Sequence, residues 1–196
     1  MKNIKTSGLL DQLKADTRQI IMETKILLQN DPELLTRQPA PGKWSIAQIL
    51  EHLNSYGRFY LPEIRKALDE SNLSPDLKYN SGWLGNFFTN SMKPTADKRV
   101  KNKVKAMKDY TPTPDLDSKT VIDEFLQQQQ DMLNLLEASA QKNIGRIRIP
   151  ITITKFIRLK LGDIFRFLIA HNQRHFIQCE NTINTLRSAP VQFAQG

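Results

Sequence analysis

The sequence predicts an all-α fold, a four-helix bundle with a long irregular insertion between its second and third helices. Three observations carry this. Four long segments repeat apolar residues at helical spacing; the stretches between them are rich in proline and polar residues; and no long run alternates as a half-buried strand does. The chain has 196 residues and a single cysteine, Cys179. That length fits one domain over residues 1–196 with a core large enough to need no disulfide.

The first helix is expected from about Leu9 to Leu28, with Leu10, Leu13, Ile20, Met22, Leu27 and Leu28 as its apolar set. Pro32, Pro39, Pro41 and Gly42 break the following stretch and make it a connection. The second helix opens at Ser45, a good N-cap, with Gln48 placed three residues on to complete a capping box. Its stripe is Ile49, Leu53, Tyr56, Tyr60 and Ile64, continuing to Leu68 through Gly57 and Pro62.

Residues 71–117 form the expected insertion: a turn at Ser74-Pro75, an apolar patch from Trp83 to Phe88, and a basic run. Phe87 and Phe88 point to a short helix docked on the bundle. The third helix is expected from about Lys119 to Gln141, capped by Asp117 or Ser118, with Val121, Phe125, Met132 and Leu135 inward. Ile147 to Thr154 reads as a short extended stretch. The fourth helix runs from about Leu161 to Leu186, with Ile164, Leu168, His171, His175 and Gln178 along one stripe.

Net charge is +8. Most of that excess lies in one segment, where Lys93, Lys98, Arg99, Lys101, Lys103, Lys105 and Lys108 face one acid, Asp97. The segment reads first as a solvated loop and second as a device for concentrating an anionic co-substrate. Trp83, Phe87, Phe88 and Tyr110 lie nearby, but no nucleic-acid-binding motif accompanies them, and no nucleic-acid partner is expected. The N-terminal residues lack the apolar core of a signal peptide, and no apolar run reaches bilayer length, so a cytoplasmic protein without membrane contact is expected.

The chain has three histidines. His171 and His175 stand four residues apart, one turn on a common helix face, where two imidazoles can chelate one ion. His52 lies on the apolar side of the second helix between Ile49 and Leu53. Three imidazoles suit Zn²⁺ or Ni²⁺, with Fe²⁺, Co²⁺ and Mn²⁺ also compatible, and leave a coordination position open. The competing reading makes them hydrogen-bonded core histidines, and on pattern alone the two readings stand level. Asn54, Tyr56 and Arg174 are candidates for orienting a substrate. Cys179, about one turn past His175, reads as a buried inert thiol, and Trp44 as a packing anchor.

The run Gly42-Lys43-Trp44-Ser45-Ile46-Ala47-Gln48-Ile49-Leu50-Glu51-His52-Leu53 resembles the second-helix signature of the DinB-like (YfiT-like) superfamily of metalloenzymes. His171-Asn172-Gln173-Arg174-His175-Phe176-Ile177-Gln178 resembles its last-helix signature. The resemblance implies His52, His171 and His175 as ligands of one divalent metal ion. It further implies thiol-transfer chemistry, because characterised relatives include bacillithiol S-transferases and mycothiol-dependent isomerases. A low-molecular-weight thiol would then join a small electrophile, with the nucleophile supplied by that thiol. Alternatives on the same scaffold are a metal-dependent hydrolase, with water as nucleophile, and a non-catalytic binding or dimerisation module; a homodimer is a further expectation. One departure stands out: many relatives carry an acid after the first histidine of the last helix, where this chain has Asn172.

Overall fold

The computed structural model describes residues 3–95, 97 and 106–188. The chain is mostly helical, with two small two-stranded sheets. The long helices are α1 (Thr6–Leu27), α3 (Ile46–Asp69), α5 (Ser118–Ala138) and α6 (Leu161–Ser188); two short ones are α2 (Pro32–Thr36) and α4 (Trp83–Met92). The strands are β1 (Ile4–Lys5), β2 (Lys78–Tyr79), β3 (Arg148–Ile151) and β4 (Thr154–Lys160). Helix α1 packs on α5 and α6, and α3 packs on the same two, so the four long helices close a ring around one hydrophobic cluster.

Helix α1 buries Leu10, Leu13, Thr17, Ile20, Thr24 and Leu27, a stripe that steps by three and four residues. Two of its members are threonines. Thr17 and Thr24 enter the core because their hydroxyls donate to the carbonyls of Leu13 and Ile20, 2.8 and 2.7 Å away. Following this stripe corrects the expected apolar set: Met22 is 59% and Leu28 39% exposed, both out of phase with it.

Helix α3 starts where its cap predicts. Ser45 Oγ accepts from the Gln48 backbone N–H, and Gln48 Oε1 accepts from the Ser45 N–H, at 3.2 and 3.0 Å. Ile49, Leu53, Tyr60, Ile64 and Leu68 are buried along it. Gly57 sits where α5 comes closest: a Cβ there would lie 1.8 Å from Gln128 Oε1. The same Gln128 donates from Nε2 to the Asn54 carbonyl at 3.1 Å, tying α5 to α3.

The stretch between α3 and α5 is more ordered than an irregular insertion. It contributes β2, which pairs antiparallel with β1 through Ile4↔Tyr79 and Lys5↔Lys78, and α4, which packs along α6. Of the basic run, Lys98, Arg99, Lys101, Lys103 and Lys105 lie outside the described residues. The expected extended stretch near Ile147 is a hairpin. Arg148 pairs with Lys160 and Ile149 with Leu159, with an irregularity between Pro150 and Ile151. Ile147, Ile149, Ile151 and Leu159 point into the core, and β4 runs straight into α6. Among the described residues, no helix is long and apolar enough to cross a membrane.

The start of α6 is locked to α4 by a buried polar knot. Asp163, 1% exposed, accepts from the Gly82 N–H at 2.8 Å and from the Ser81 hydroxyl, and pairs with Arg166 at 3.1 Å. Arg166 also donates to Ser81 Oγ and to Asn86 Oδ1, at 2.7 and 3.1 Å. Gly85 lets α4 approach, since a Cβ there would lie 2.4 Å from Asp163. Removing one member of a buried pair strands its partner's charge. Asp163→Ala is therefore expected to lower stability by about 3–5 kcal/mol, read as a lower urea midpoint with unchanged slope. A change within measurement error would show that the knot contributes nothing.

Candidate metal centre

Helix α3 delivers His52 from its second turn, and α6 delivers His171 and His175 from its middle. The phase of each helix is set by its apolar stripe, and the α3–α6 contact brings the three rings together. They are 4%, 4% and 8% exposed. One nitrogen from each lies within 4.8 Å of those of the other two. His171 Nε2 is 3.3 Å from His52 Nε2 and 3.0 Å from His175 Nε2.

The far side of two rings decides their tautomers. His52 Nδ1 lies 2.7 Å from the Tyr110 carbonyl oxygen, which can only accept. His175 Nδ1 lies 2.9 Å from Gln178 Oε1, likewise an acceptor. Both Nδ1 atoms therefore carry the proton, and both Nε2 atoms present lone pairs to the centre of the cluster. His171 Nε2 can give at most one proton to those two acceptors. Its own Nδ1 is buried and has no hydrogen-bond partner.

Electrostatics point the same way. Burial holds all three imidazoles below the ordinary value of 6.5: His52 is lowered, His171 well below, and His175 pushed down to about 3. The mutual repulsion of the rings and the Arg174 charge add to the effect at His171 and His175. A neutral, desolvated set of nitrogen lone pairs converging from two helices is the donor set that borderline divalent ions take. The three histidines could hold a metal ion, and the tautomers that their partners fix at His52 and His175 are those such an ion requires.

Around the rings stand aromatic walls. Trp44 lies 5.1 Å from His52, so the expected packing anchor rests on a site ring. Tyr56 meets His52 and His171 edge-on at 5.2 and 4.6 Å, with its phenol pushed up to about 12 by burial. Phe167 stacks on His171 at 5.7 Å, and Tyr110 packs on Tyr56 at 4.6 Å.

The structure thus brings Tyr56 to the cluster. Arg174 is near it on α6, 7% exposed, its guanidinium held below its usual value by burial. Asn54 is turned elsewhere: fully buried, it donates to the Val121 carbonyl at 2.9 Å in the α3–α5 contact. Asn172 donates to Gln129 Oε1 at 3.0 Å, also toward α5. Cys179 is 1% exposed, and burial pushes its thiol up, as expected of an inert core cysteine. Two partners of the site were not expected: the Tyr110 carbonyl, 58 residues from His52, and the Gln178 side chain. Gln178 had a legible signal, lying three residues beyond His175; a backbone carbonyl has none.

The family model described as the DinB superfamily matches residues 10–179, which include all three histidines. The chain belongs to the DinB superfamily. No curated protein and no solved structure matches it. In this DinB-superfamily chain the three histidines, all within the matched span, meet in space.

The neutral imidazoles give the metal-free protein a defined pH response. Below about pH 6.5 the unfolded chain takes up protons that the folded one refuses, so stability rises with pH there. The contribution is whole above pH 6.5 and is lost as pH falls toward 3. Chelator-treated protein is expected to lose about 1.4 kcal/mol per pH unit for each affected imidazole as pH drops from 6.5 to 5. Urea titrations across that range check this, with a His52→Gln, His171→Gln, His175→Gln variant as reference. Equal slopes in the two proteins would contradict the neutral cluster.

Proposed function

We propose that this protein is a divalent-metal-dependent enzyme joining a low-molecular-weight thiol to a small electrophile. The observation that carries the proposal is the convergence of three Nε2 atoms, two of them presenting lone pairs fixed by Nδ1–H donation to Tyr110 and Gln178. His52, His171 and His175 would hold the ion, most suitably Zn²⁺ or Ni²⁺. A bound ion with an open position supplies Lewis acidity, lowering the pKa of a thiol or water placed there.

The chain's own groups narrow the chemistry. Three neutral ligands leave the ion its full positive charge. Cys179, buried and with its thiol pushed up, is a poor nucleophile, so the nucleophile comes from outside the protein. The walls of Trp44, Tyr56 and Phe167 exclude water and favour an apolar electrophile over a charged one. Tyr56 stays protonated, with its pKa pushed up to about 12, and is suited to donate a hydrogen bond to a leaving group or an opening epoxide. The four-helix ring would be the family's bundle, working as one domain with residues 71–117 inserted into it.

Metal content by inductively coupled plasma mass spectrometry is the first test. Wild type is expected to hold about one equivalent of a divalent metal, and His171→Ala, His175→Ala to hold none. Wild type that stays metal-free after incubation with Zn²⁺ or Ni²⁺ would remove the enzyme reading and leave a binding module. Conjugation of a bacillithiol-type thiol to an epoxide or alkyl halide then separates transferase from hydrolase. Turnover that consumes the electrophile without the thiol would assign the site to water.

Gln178 gives a finer test. It touches no metal position, yet it fixes the His175 tautomer from behind. Gln178→Leu is expected to weaken metal affinity by about 10–100-fold, measured by competition with a chromogenic chelator. Unchanged affinity would mean that Gln178 does not orient the ligand.

A further inference from the structure

The hairpin that leads into α6 carries more exposed apolar surface than its size accounts for. Phe156 is 98% exposed, Ile153 61% and Ile157 41%. Helix α4, in contact with β4, adds Trp83 at 83% and Phe87 at 61%, four residues apart and hence on one face. Exposed apolar side chains gathered on neighbouring elements in this way mark an interaction site.

Charge identifies what it meets. From Arg146 to Lys160 the chain has five cations and no acid, and from Leu77 to Thr95 it has Lys78 and Lys93 and no acid. The register puts Arg148 opposite Lys160 and Pro150 opposite Arg158, while Ile149 and Leu159 pair on the core side. Arg148 and Arg158 therefore share the outer face of the hairpin. Beside that face lies a groove of about 400 Å³, lined by Arg148 and Arg158 of the hairpin, by Arg146 just before it, by Glu63 and Lys66 of α3 and by Glu70 just past its end. A second copy packed on this same face about a two-fold axis would bring arginine against arginine. A polyanion without an apolar interior would leave Phe156 and Ile153 in water.

We propose that the outer face of the hairpin, with α4 beside it, docks on an anionic phospholipid surface. Ile153 and Phe156 enter the interface, Trp83 and Phe87 lie along it, and the hairpin arginines meet lipid phosphates. This departs from the expectation of no membrane contact. The charge-poor apolar patch and the acid-free hairpin are separate in sequence, and only the fold places them together.

The test is co-sedimentation of the full chain with vesicles of phosphatidylcholine alone or of phosphatidylcholine with phosphatidylglycerol. Wild type is expected to bind the anionic vesicles and not the neutral ones. Phe156→Ser, almost fully exposed and so without effect on the fold, is expected to weaken binding about tenfold. Arg148→Glu with Arg158→Glu is expected to weaken it at least as much. No binding to anionic vesicles would overturn the proposal. So would binding that Phe156→Ser leaves unchanged, because the basic run from Lys93 to Lys108 would then be responsible. A dimer in sedimentation velocity that Phe156→Ser dissociates would assign the face to a second copy instead. A single-stranded oligonucleotide bound with the same dependence on Phe156 would assign it to nucleic acid. The far-ultraviolet spectrum and urea midpoint of each variant verify that it is folded.

Discussion

Nitrogen lone pairs facing one another in a dry core are the feature around which this structure is arranged. A buried polar atom without a partner costs roughly 1–3 kcal/mol, and here three imidazoles converge with at most one central proton among them. The chain does not relieve that cost by adding a carboxylate or a serine. It fixes the rings more firmly, holding His52 from Tyr110 and His175 from Gln178. Such an arrangement is stable against rotation of the rings.

That geometry depends on the rotation of two helices about their axes. Helix α3 is set by its capping box at one end and by its tie to Gln128 near the middle. Helix α6 is set at its start, where β4 enters it and where Asp163 and Arg166 bind Ser81, Gly82 and Asn86. His171 and His175 lie two to three turns further along. An error in the rotation of α6 at Asp163 would be carried undiminished to the cluster, because a helix is stiff in torsion over so short a length. The polar knot is thus part of what aims the site, although it touches none of the three histidines.

Much of this was legible in the sequence, and what was not has a physical reason. The four long helices follow from periodicity and caps, which are local in the chain; the three histidines as one set came from the resemblance of two motifs. The stripe of α1 was misread at Met22 and Leu28 because Thr17 and Thr24 occupy core positions. Threonine can do so only by donating to its own helix, a bond that composition does not announce. β4 escaped notice because its outer face mixes arginine, lysine and phenylalanine, hiding the alternation that Leu159 and Ile157 keep. Tyr110 could not be found as the partner of His52, since the group involved is a backbone carbonyl brought from 58 residues away. Asn54 looked like a site residue from its distance in sequence to His52. Two residues along a helix turn a side chain about 200°, and Asn54 accordingly faces α5.

The same stiffness bears on how the metal cluster and the hairpin face relate. Leu161 is the first residue of α6 and His171 stands ten residues on, a rise of about 15 Å. The turn of the hairpin comes closer than that rise suggests, because the Thr152 N–H donates to Tyr60 Oη at 3.2 Å and Tyr60 stacks on Tyr56, which meets His171. The two features also share one rigid element, so a surface that held the hairpin would also hold the cluster at a constant depth and orientation. For the enzyme proposed above, whose aromatic walls would favour apolar electrophiles, that placement would matter, because such compounds partition into lipid. A site held beside a bilayer surface would sample them at the concentration the membrane sets, not that of the bulk solution.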